Sequence, residues 1–245
     1  MIFGIETSTA QASLALVGPI RKSVTSDSVV QTEISVICEM KTSGSVRHSE
    51  AIFSIAFDML NRFDLERRKV DGIAVSIGPG MFTALRVGLA LAKGLAIVLK
   101  APIVSINTLD ALARSITTSI SFLLPLIDAS RGDVYAALYN NLNGIPVRKS
   151  PYLLTGPQEV DRLITDETLI FGPGLETFGR ILHSKLKSTA VFAKKNILAP
   201  PASIIAKIGA EKLAIGKIDE PEDIEPFYIK EPDALAYRSK KTNRR

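Results

Sequence analysis

The stretch VDGIAVSIGPGMFTALRVGLALAKGLAIVLK, residues 70–100, decides the fold. Residues 70–76 form a short run with branched apolar side chains, which predicts a buried strand. The glycines and proline at 78–80 then turn the chain, and the apolar residues of 82–100 predict a long helix. Pro102 stops this helix before a further strand at 103–106. A strand, a turn, a helix and a second strand are typical of a parallel crossover unit.

The same arrangement occurs a second time in the chain. A strand predicted at 168–171 is followed by another Gly-Pro-Gly turn, at 172–174, and by a helix to about residue 186. Each half therefore reads β-β-β-α-β-α-β-α. The other predicted strands are 2–5, 12–17, 33–41, 122–127, 133–139, 147–153 and 189–192, and the other predicted helices are 47–63, one capped by Asn107 or Thr108, a weak one at 157–163, and 202–215.

This duplication predicts an α/β protein of actin/Hsp70-like (ASKHA) fold, built from two ribonuclease H-like lobes. We expect the lobes at 1–110 and 111–230, with the helix at 202–215 able to pack back on the first lobe. The polar segment 18–32 is expected to form a long hairpin arm. Residues 231–245 are expected to be a basic, disordered tail.

The excess of positive charge lies at the end of the chain. The sequence has 30 basic and 25 acidic residues, and the last eight positions hold five of the basic ones, so the rest is neutral. A neutral body gives no indication of a nucleic-acid-binding domain. The single cysteine, Cys38, fits a reducing compartment. No signal peptide is indicated, because Glu6 and the polar run at 7–9 interrupt any apolar start. No membrane span is indicated either, because Arg86 and Lys93 interrupt the most apolar stretch. We therefore expect a cytoplasmic protein.

Three turns could contribute to a nucleotide site. The turn at 6–8 follows the first strand, as the phosphate-binding turn of actin-like folds does, but Thr7 replaces the usual glycine. The turn at 78–80 could place an anion at a helix N-terminus, or it could simply be a stiff connection. Asp128 could hold a magnesium–nucleotide complex or serve its own turn. The sequence predicts at most a weak or vestigial nucleotide site, comprising Glu6, Thr7, Ser8, Gly78, Gly80 and Asp128.

Metal and peptidase chemistry are not supported by the residues. The two histidines, His48 and His183, lie far apart, and neither has a partner at metal-ligand spacing. A Gly-x-Ser-x-Gly motif does not occur either. The sequence therefore predicts neither a metal ion nor a catalytic residue.

The helix at 82–100 is apolar around most of its circumference. Arg86, Lys93 and Lys100 recur every seven residues and form one narrow charged stripe. A surface helix that packs only on its own core needs a single apolar face. The sequence therefore indicates a second packing partner, either another subunit or the other lobe, and complete burial within the monomer is the alternative.

Seven segments, taken in order, resemble the TsaB (YeaZ) family: GIETST at 4–9, SIGPGMFT at 76–83, LRVG at 85–88, AKGLA at 92–96, PIVSINTL at 102–109, IDASRGDVY at 127–135 and PFYIK at 226–230. The resemblance implies an actin/Hsp70-like fold and a part in making N6-threonylcarbamoyladenosine beside the anticodon of tRNA. It implies a scaffold for the catalytic paralogue TsaD, joined by the ATPase TsaE. Other implied properties are a homodimer when alone, indirect contact with tRNA, and weak ATP or ADP binding at the subunit interface.

The paralogue TsaD carries a metal motif of the form Asn-His-Leu-Glu-Gly-His. Residues 107–112 of this chain align with it and place Thr108 and Leu112 at the two ligand positions. The resemblance therefore implies an inactive paralogue without the metal that would orient the substrate. The alternatives are a small actin-like ATPase or kinase acting alone, a metal-dependent transferase or peptidase, and a homodimeric structural protein.

The family pairs its first-lobe helices with TsaD or with a second copy. By this resemblance Gly88→Leu or Leu89→Asp should abolish complex formation while the fold stays intact. The residues expected at or near the interface are Ile52, Ile55, Met59, Leu85, Gly88, Leu89 and Ala92.

Overall fold

The computed structural model describes residues 1–24, 30–42, 48–65, 69–186, 188–193 and 197–229. The predicted tail at 231–245 lies outside these residues. The first half builds a five-stranded sheet of order β3-β2-β1-β4-β5, in which β1 is antiparallel to β2 and parallel to β4. Its elements are β1 (Ile2–Glu6), β2 (Ser13–Val24), β3 (Val30–Lys41), α1 (His48–Arg62), β4 (Gly72–Gly78), α2 (Phe82–Leu99) and β5 (Ile103–Asn107).

The second half repeats this strand order as β10-β7-β6-β11-β12. The central strand β6 is again antiparallel to its hairpin neighbour β7 and parallel to β11. The repeated order confirms the predicted duplication and the actin-like, ribonuclease H-like fold class. The elements are α3 (Thr108–Arg114), β6 (Phe122–Asp128), β7 (Val134–Ala136), β8 (Tyr139–Leu142), β9 (Ile145–Arg148), β10 (Leu153–Thr155), a 3₁₀ helix (Pro157–Leu163), β11 (Thr168–Phe171), α4 (Gly174–Lys185), β12 (Ala190–Phe192) and α5 (Ala202–Ala214).

Two predicted strands of the second half are wrong as single elements. The segments 133–139 and 147–153 each divide into two short strands, and β7 and β8 pair with opposite ends of β6. The chain leaves the ladder at Leu138, whose backbone N–H donates to Ser150 Oγ at 2.9 Å. Its carbonyl accepts from the Lys149 N–H at 2.7 Å. A hydrogen bond to the side chain of Ser150, twelve positions further along the chain, thus replaces the ladder at Leu138, and alternating apolar residues do not reveal it.

The arm at 18–32 is formed by the far ends of β2 and β3. Their pairing continues to Val24 opposite Val30, with register shifts after Leu16 and after Gly18. Such bulges bend a two-stranded ribbon and increase its twist. The predicted hairpin arm is therefore confirmed for its described residues.

The last helix of each half packs on the sheet of the other half. α3 buries Leu109 and Leu112 in a cluster with Leu123 of β6. α5 lies on the first sheet so closely that a Cβ on Gly4 would be 2.3 Å from the Ala202 carbonyl oxygen. The predicted lobe boundary after residue 110 therefore falls inside a helix that already belongs to the second core.

The first sheet is covered on both sides. Phe3, Ile5 and Val75 pack against α1 and α2 in one cluster. Ile2 and Ala74 pack against α5 in another. Because successive side chains of a strand point to opposite sides, α5 lies across the sheet from α1 and α2.

Candidate functional site

The turn after β1 is closed by its own hydrogen bonds. The Thr7 N–H donates to Ser76 Oγ at 3.3 Å, and the Ser8 N–H donates to Glu6 Oε1 at 2.6 Å. The Ser8 carbonyl oxygen accepts from the Met81 N–H at 2.8 Å. All three residues of the turn are buried. The backbone donors that would hold a phosphate in an actin-like site are thus already bound to internal acceptors.

Glycines bring the second turn and helix α2 against this first turn. A Cβ on Gly80 would lie 2.2 Å from the Ser8 carbonyl oxygen. A Cβ on Gly88 would lie 2.1 Å from Thr7 Oγ1. Such distances leave no room for a side chain, so Gly80 permits contact with the backbone of the first turn and Gly88 permits contact with the Thr7 side chain. The structure therefore brings five of the six predicted nucleotide-site residues together, but as a packed core.

Glu6 is a fully buried carboxylate at the end of β1. Burial raises its pKa from 4.5 to about 7, although hydrogen bonds from Ser8 and Ser76 act in the opposite direction. Its Oε2 atom has no hydrogen-bond partner among the described residues, and the same holds for Thr7 Oγ1. The charged form of Glu6 is therefore destabilised in the folded protein.

Asp128 occupies the equivalent place at the end of β6 and makes its hydrogen bonds within the second half. Its Oδ1 accepts from the Ser130 N–H and its Oδ2 from Thr177 Oγ1, each at 2.7 Å. Both hydrogen bonds serve the turn and the start of α4. Nucleotide binding at Asp128 stays a prediction.

The residues predicted at a partner interface lie mostly inside the chain's own core. Ile52, Met59, Leu85, Gly88, Leu89 and Ala92 are buried, and Ile55 is half-buried. Five of them pack in the cluster that holds α1 and α2 on the first sheet, Leu85 lies beside Gly78, and Gly88 lies against Thr7. Leu89→Asp and Gly88→Leu would thus act on the fold, which corrects the expectation that these variants stay folded.

The same two helices carry an exposed apolar surface built from other residues. Ile97 is 74% exposed and Phe57 is 64% exposed. Gly94 has open space around an added Cβ. Since α1 and α2 cover one side of the first sheet, their outward residues lie on the same side of the molecule. We call this surface the outer face; it consists of Phe53, Phe57, Ala90, Gly94, Ile97 and Val98.

The start of α2 is held by the segment after α5, a contact that our reading of the sequence missed. Tyr228 stacks on Phe82 with ring centroids 5.3 Å apart, and its hydroxyl accepts from Arg86 Nε at 3.3 Å. The Arg86 guanidinium also lies 3.9 Å from the Phe82 ring centroid. The Phe227 N–H donates to the Ile77 carbonyl oxygen at 2.7 Å. Because these contacts join residues more than 140 positions apart, no local sequence pattern predicts them.

The described residues offer no metal cluster, and their most apolar helix is partly buried. Within them no group of three or more His, Cys, Asp or Glu side chains could hold a metal ion. His183 of α4 instead stacks on Phe192, with ring centroids 3.6 Å apart. By length and composition α2 could cross a membrane, but 44% of it is buried in this fold, as in a core helix.

The chain is similar to proteins of tRNA threonylcarbamoyladenosine biosynthesis. The model of the family described as "TsaD: tRNA N6-adenosine threonylcarbamoyltransferase" matches residues 40–147. The tRNA threonylcarbamoyladenosine biosynthesis protein TsaB of Bacillus subtilis is 35% identical over 46% of this chain and 49% of its own length. The TsaB protein of Escherichia coli is 27% identical over 75% of this chain and 80% of its own length.

A solved structure gives the same fold. YeaZ from Pseudomonas aeruginosa superposes with a TM-score of 0.72 at 21% identity, over 93% of this chain and 99% of that one. The chain thus spans about half of the Bacillus relative by sequence, whereas the three-dimensional similarity covers nearly the whole fold.

Proposed function

We propose that this chain, which belongs to the TsaB (YeaZ) family, is a non-catalytic subunit of tRNA N6-threonylcarbamoyladenosine synthesis that binds the TsaD-type transferase through its outer face. The similarity to the TsaB proteins of Bacillus subtilis and Escherichia coli supports involvement in this biosynthesis. The observation that carries the binding role is the outer face itself. An exposed apolar surface on two packed helices marks a site of protein–protein contact.

The chemistry of the outer face suits a close helix–helix contact. Ala90 and Gly94 are small, so a partner helix could approach the backbone of α2. Phe53 and Phe57 of α1 add exposed aromatic area on the same side of the sheet, and aromatic area contributes strongly at interfaces. The charged residues of α2 lie at the edge of this surface, where rim charges favour association rate and orientation.

The non-catalytic role is supported by the first turn. Thr7, Ser8 and Met81 use their N–H groups within the fold, and Glu6 is buried. A nucleotide that approached this turn would first have to break those hydrogen bonds. Any weak binding of ATP or ADP is therefore proposed to occur at the interface with the transferase, where the partner supplies further groups. Thr108 and Leu112 replace the two metal-binding histidines of the paralogue.

The remaining partners follow from the same proposal. A TsaE-type ATPase joins the pair, tRNA is contacted through the complex, and the chain forms a homodimer through the outer face when the transferase is absent. Because a second copy and the transferase would compete for one surface, adding transferase should convert the homodimer into a heterodimer.

Reconstitution tests the function directly. Transfer of threonylcarbamoyl to tRNA is measured with the transferase, the TsaE-type ATPase and threonylcarbamoyl-adenylate, with and without this chain. We expect transfer to require the chain, and the chain alone to hydrolyse no ATP. Equal transfer without the chain would contradict the scaffold role, and ATP turnover by the chain alone at about 1 s⁻¹ or faster would favour an independent ATPase.

A further inference from the structure

A cavity of about 250 Å³ lies where α3 and α5, the last helices of the two halves, meet the second half. α3 contributes Asp110 and Arg114 to its lining, and α5 contributes Ile208 and Glu211. The remaining lining residues are Tyr139, Pro146, Arg148 and Tyr152. Its volume is below the roughly 300–1,000 Å³ of pockets for drug-sized ligands, so any ligand is small.

The lining of the cavity includes a carboxylate, Asp110, that two tyrosines hold in place. Tyr139 donates its hydroxyl to Asp110 Oδ1 and Tyr152 donates to Asp110 Oδ2, both at 2.7 Å. Burial and the neighbouring Asp110 raise the pKa of both phenols, so they remain donors. Each carboxylate oxygen keeps a second acceptor position. Asp110 can therefore receive a further donor, such as an ammonium group, without losing the tyrosines.

Beside Tyr152 lies a cation without a carboxylate partner among the described residues, Arg148. Arg148 forms no ion pair with any described residue; it donates to the Ser150 carbonyl oxygen at 2.7 Å and lies 4.1 Å from the Tyr152 ring centroid. Arg114, by contrast, is paired with Glu211. A guanidinium held on an aromatic ring presents a planar set of donors, which matches a carboxylate.

The lining therefore carries two acidic and two basic side chains around a small space. A ligand with one net charge would leave wall charges of the same sign beside it, whereas a ligand with both charges can pair with both the acidic and the basic side chains. We propose that this cavity binds a free α-amino acid, with its carboxylate at Arg148 and its ammonium group between Asp110 and Glu211.

This site is independent of the proposed partner surface. The cavity is lined by α5, and α5 lies across the first sheet from α1 and α2. A bound amino acid would contact α3, α5 and the β8–β9 hairpin together, and so would tie the two halves to each other. Its binding should thus raise the melting temperature of the whole chain.

The test uses the purified chain and the twenty common L-amino acids, each screened by thermal shift and then titrated by calorimetry. For any amino acid that binds, its methyl ester lacks the carboxylate charge and its N-acetyl derivative lacks the ammonium charge. We expect at least one free amino acid to bind, and both derivatives to bind at least tenfold more weakly. Absence of binding at millimolar concentrations, or equal binding of either derivative, would overturn the proposal.

Two variants link binding to the named side chains. Arg148→Gln and Glu211→Gln change exposed residues, and each should weaken binding at least tenfold while the melting temperature of the free chain stays within about 2 °C. Arg180→Gln, an exposed arginine of α4, is the matched control and should bind like the wild type. Wild-type affinity in both cavity variants would reject this location.

Discussion

Helices α2 and α4 hold equivalent positions in the two halves, yet their outward sides differ. Each follows a Gly-Pro-Gly turn at the end of a parallel strand, and each buries an apolar side on its own sheet. The outward residues of α4 are mainly polar, including Glu176, Arg180 and Ser184. Those of α2 include Ile97 and Val98. The fold needs only the inner side, and we propose that a partner covers the apolar outer side of α2.

The ends of the two central strands differ in a related way. Glu6 and Asp128 each accept a hydrogen bond from the backbone N–H two residues ahead. Glu6 is fully buried under α2, whereas Asp128 remains partly open to water. In the first half, the turn after the central strand is buried against α2. In the second half, the corresponding turn stays partly exposed to water.

Gly88→Leu should have the largest effect, because it removes the space in which α2 contacts the first turn. A side chain at this position meets Thr7, and we expect the free energy of unfolding to fall by about 3 kcal/mol or more. Gly179→Ala in α4 has open space and should be neutral or stabilising by up to about 1 kcal/mol. The measurement is the free energy of unfolding of both variants in urea. Equal changes would mean that α2 and α4 pack equally closely at these two positions.

Glu6→Gln should remove a pH-dependent loss of stability. The folded pKa of about 7 lies above the unfolded value of 4.5, so the wild type binds an extra proton when folded in this window. The contribution of Glu6 to the free energy of unfolding should therefore be largest below pH 4.5 and should fall as the pH rises to about 7, by at most about 3 kcal/mol. In Glu6→Gln this fall should be largely absent.

The matched control is Asp128→Asn at the other central strand. It should keep the wild-type dependence of unfolding free energy on pH, because Glu6 is still present. The measurement is urea unfolding at pH 5 and pH 8 for all three proteins. A wild-type slope in Glu6→Gln would show that Glu6 does not carry the effect.

Tyr228→Ala should have a smaller and more local effect. It removes the stacking on Phe82 and the hydrogen bond from Arg86 at the start of α2, and we expect a loss of about 1–2 kcal/mol. Hydrogen exchange of the first turn of α2 should accelerate, while that of α4 should not change. Unchanged exchange in α2 would mean that this contact does not hold the helix.

The sequence was sufficient for the parts of the fold that local patterns determine. The two Gly-Pro-Gly turns, the helix at 82–100 and the duplicated order of elements all follow from short-range periodicity, and Asn107 does cap α3 through its side chain. Element boundaries were mostly right within two residues. The divided strands of the second half were missed because a hydrogen bond from Leu138 to Ser150, twelve positions away, interrupts them.

The sequence does not determine which side of α2 faces the sheet, because both of its sides are apolar. Periodicity shows that Leu85, Leu89 and Ala92 share one face, but it does not show whether that face meets the sheet or a partner. Local sequence patterns also do not show that α3 and α5 each pack on the sheet of the other half. The inner and outer sides of α2 are assigned only by the sheet beneath it.

The most direct test of the account compares one apolar residue on each helix. Ile97→Asp on α2 and Ile181→Asp on α4 both replace an exposed isoleucine, so both variants should fold with the wild-type melting temperature. The mass and affinity of the complex with the TsaD-type transferase are then measured. We predict that Ile97→Asp weakens binding at least a hundredfold and that Ile181→Asp binds like the wild type. Wild-type affinity in a folded Ile97→Asp variant would contradict the assignment of the outer face as the partner surface.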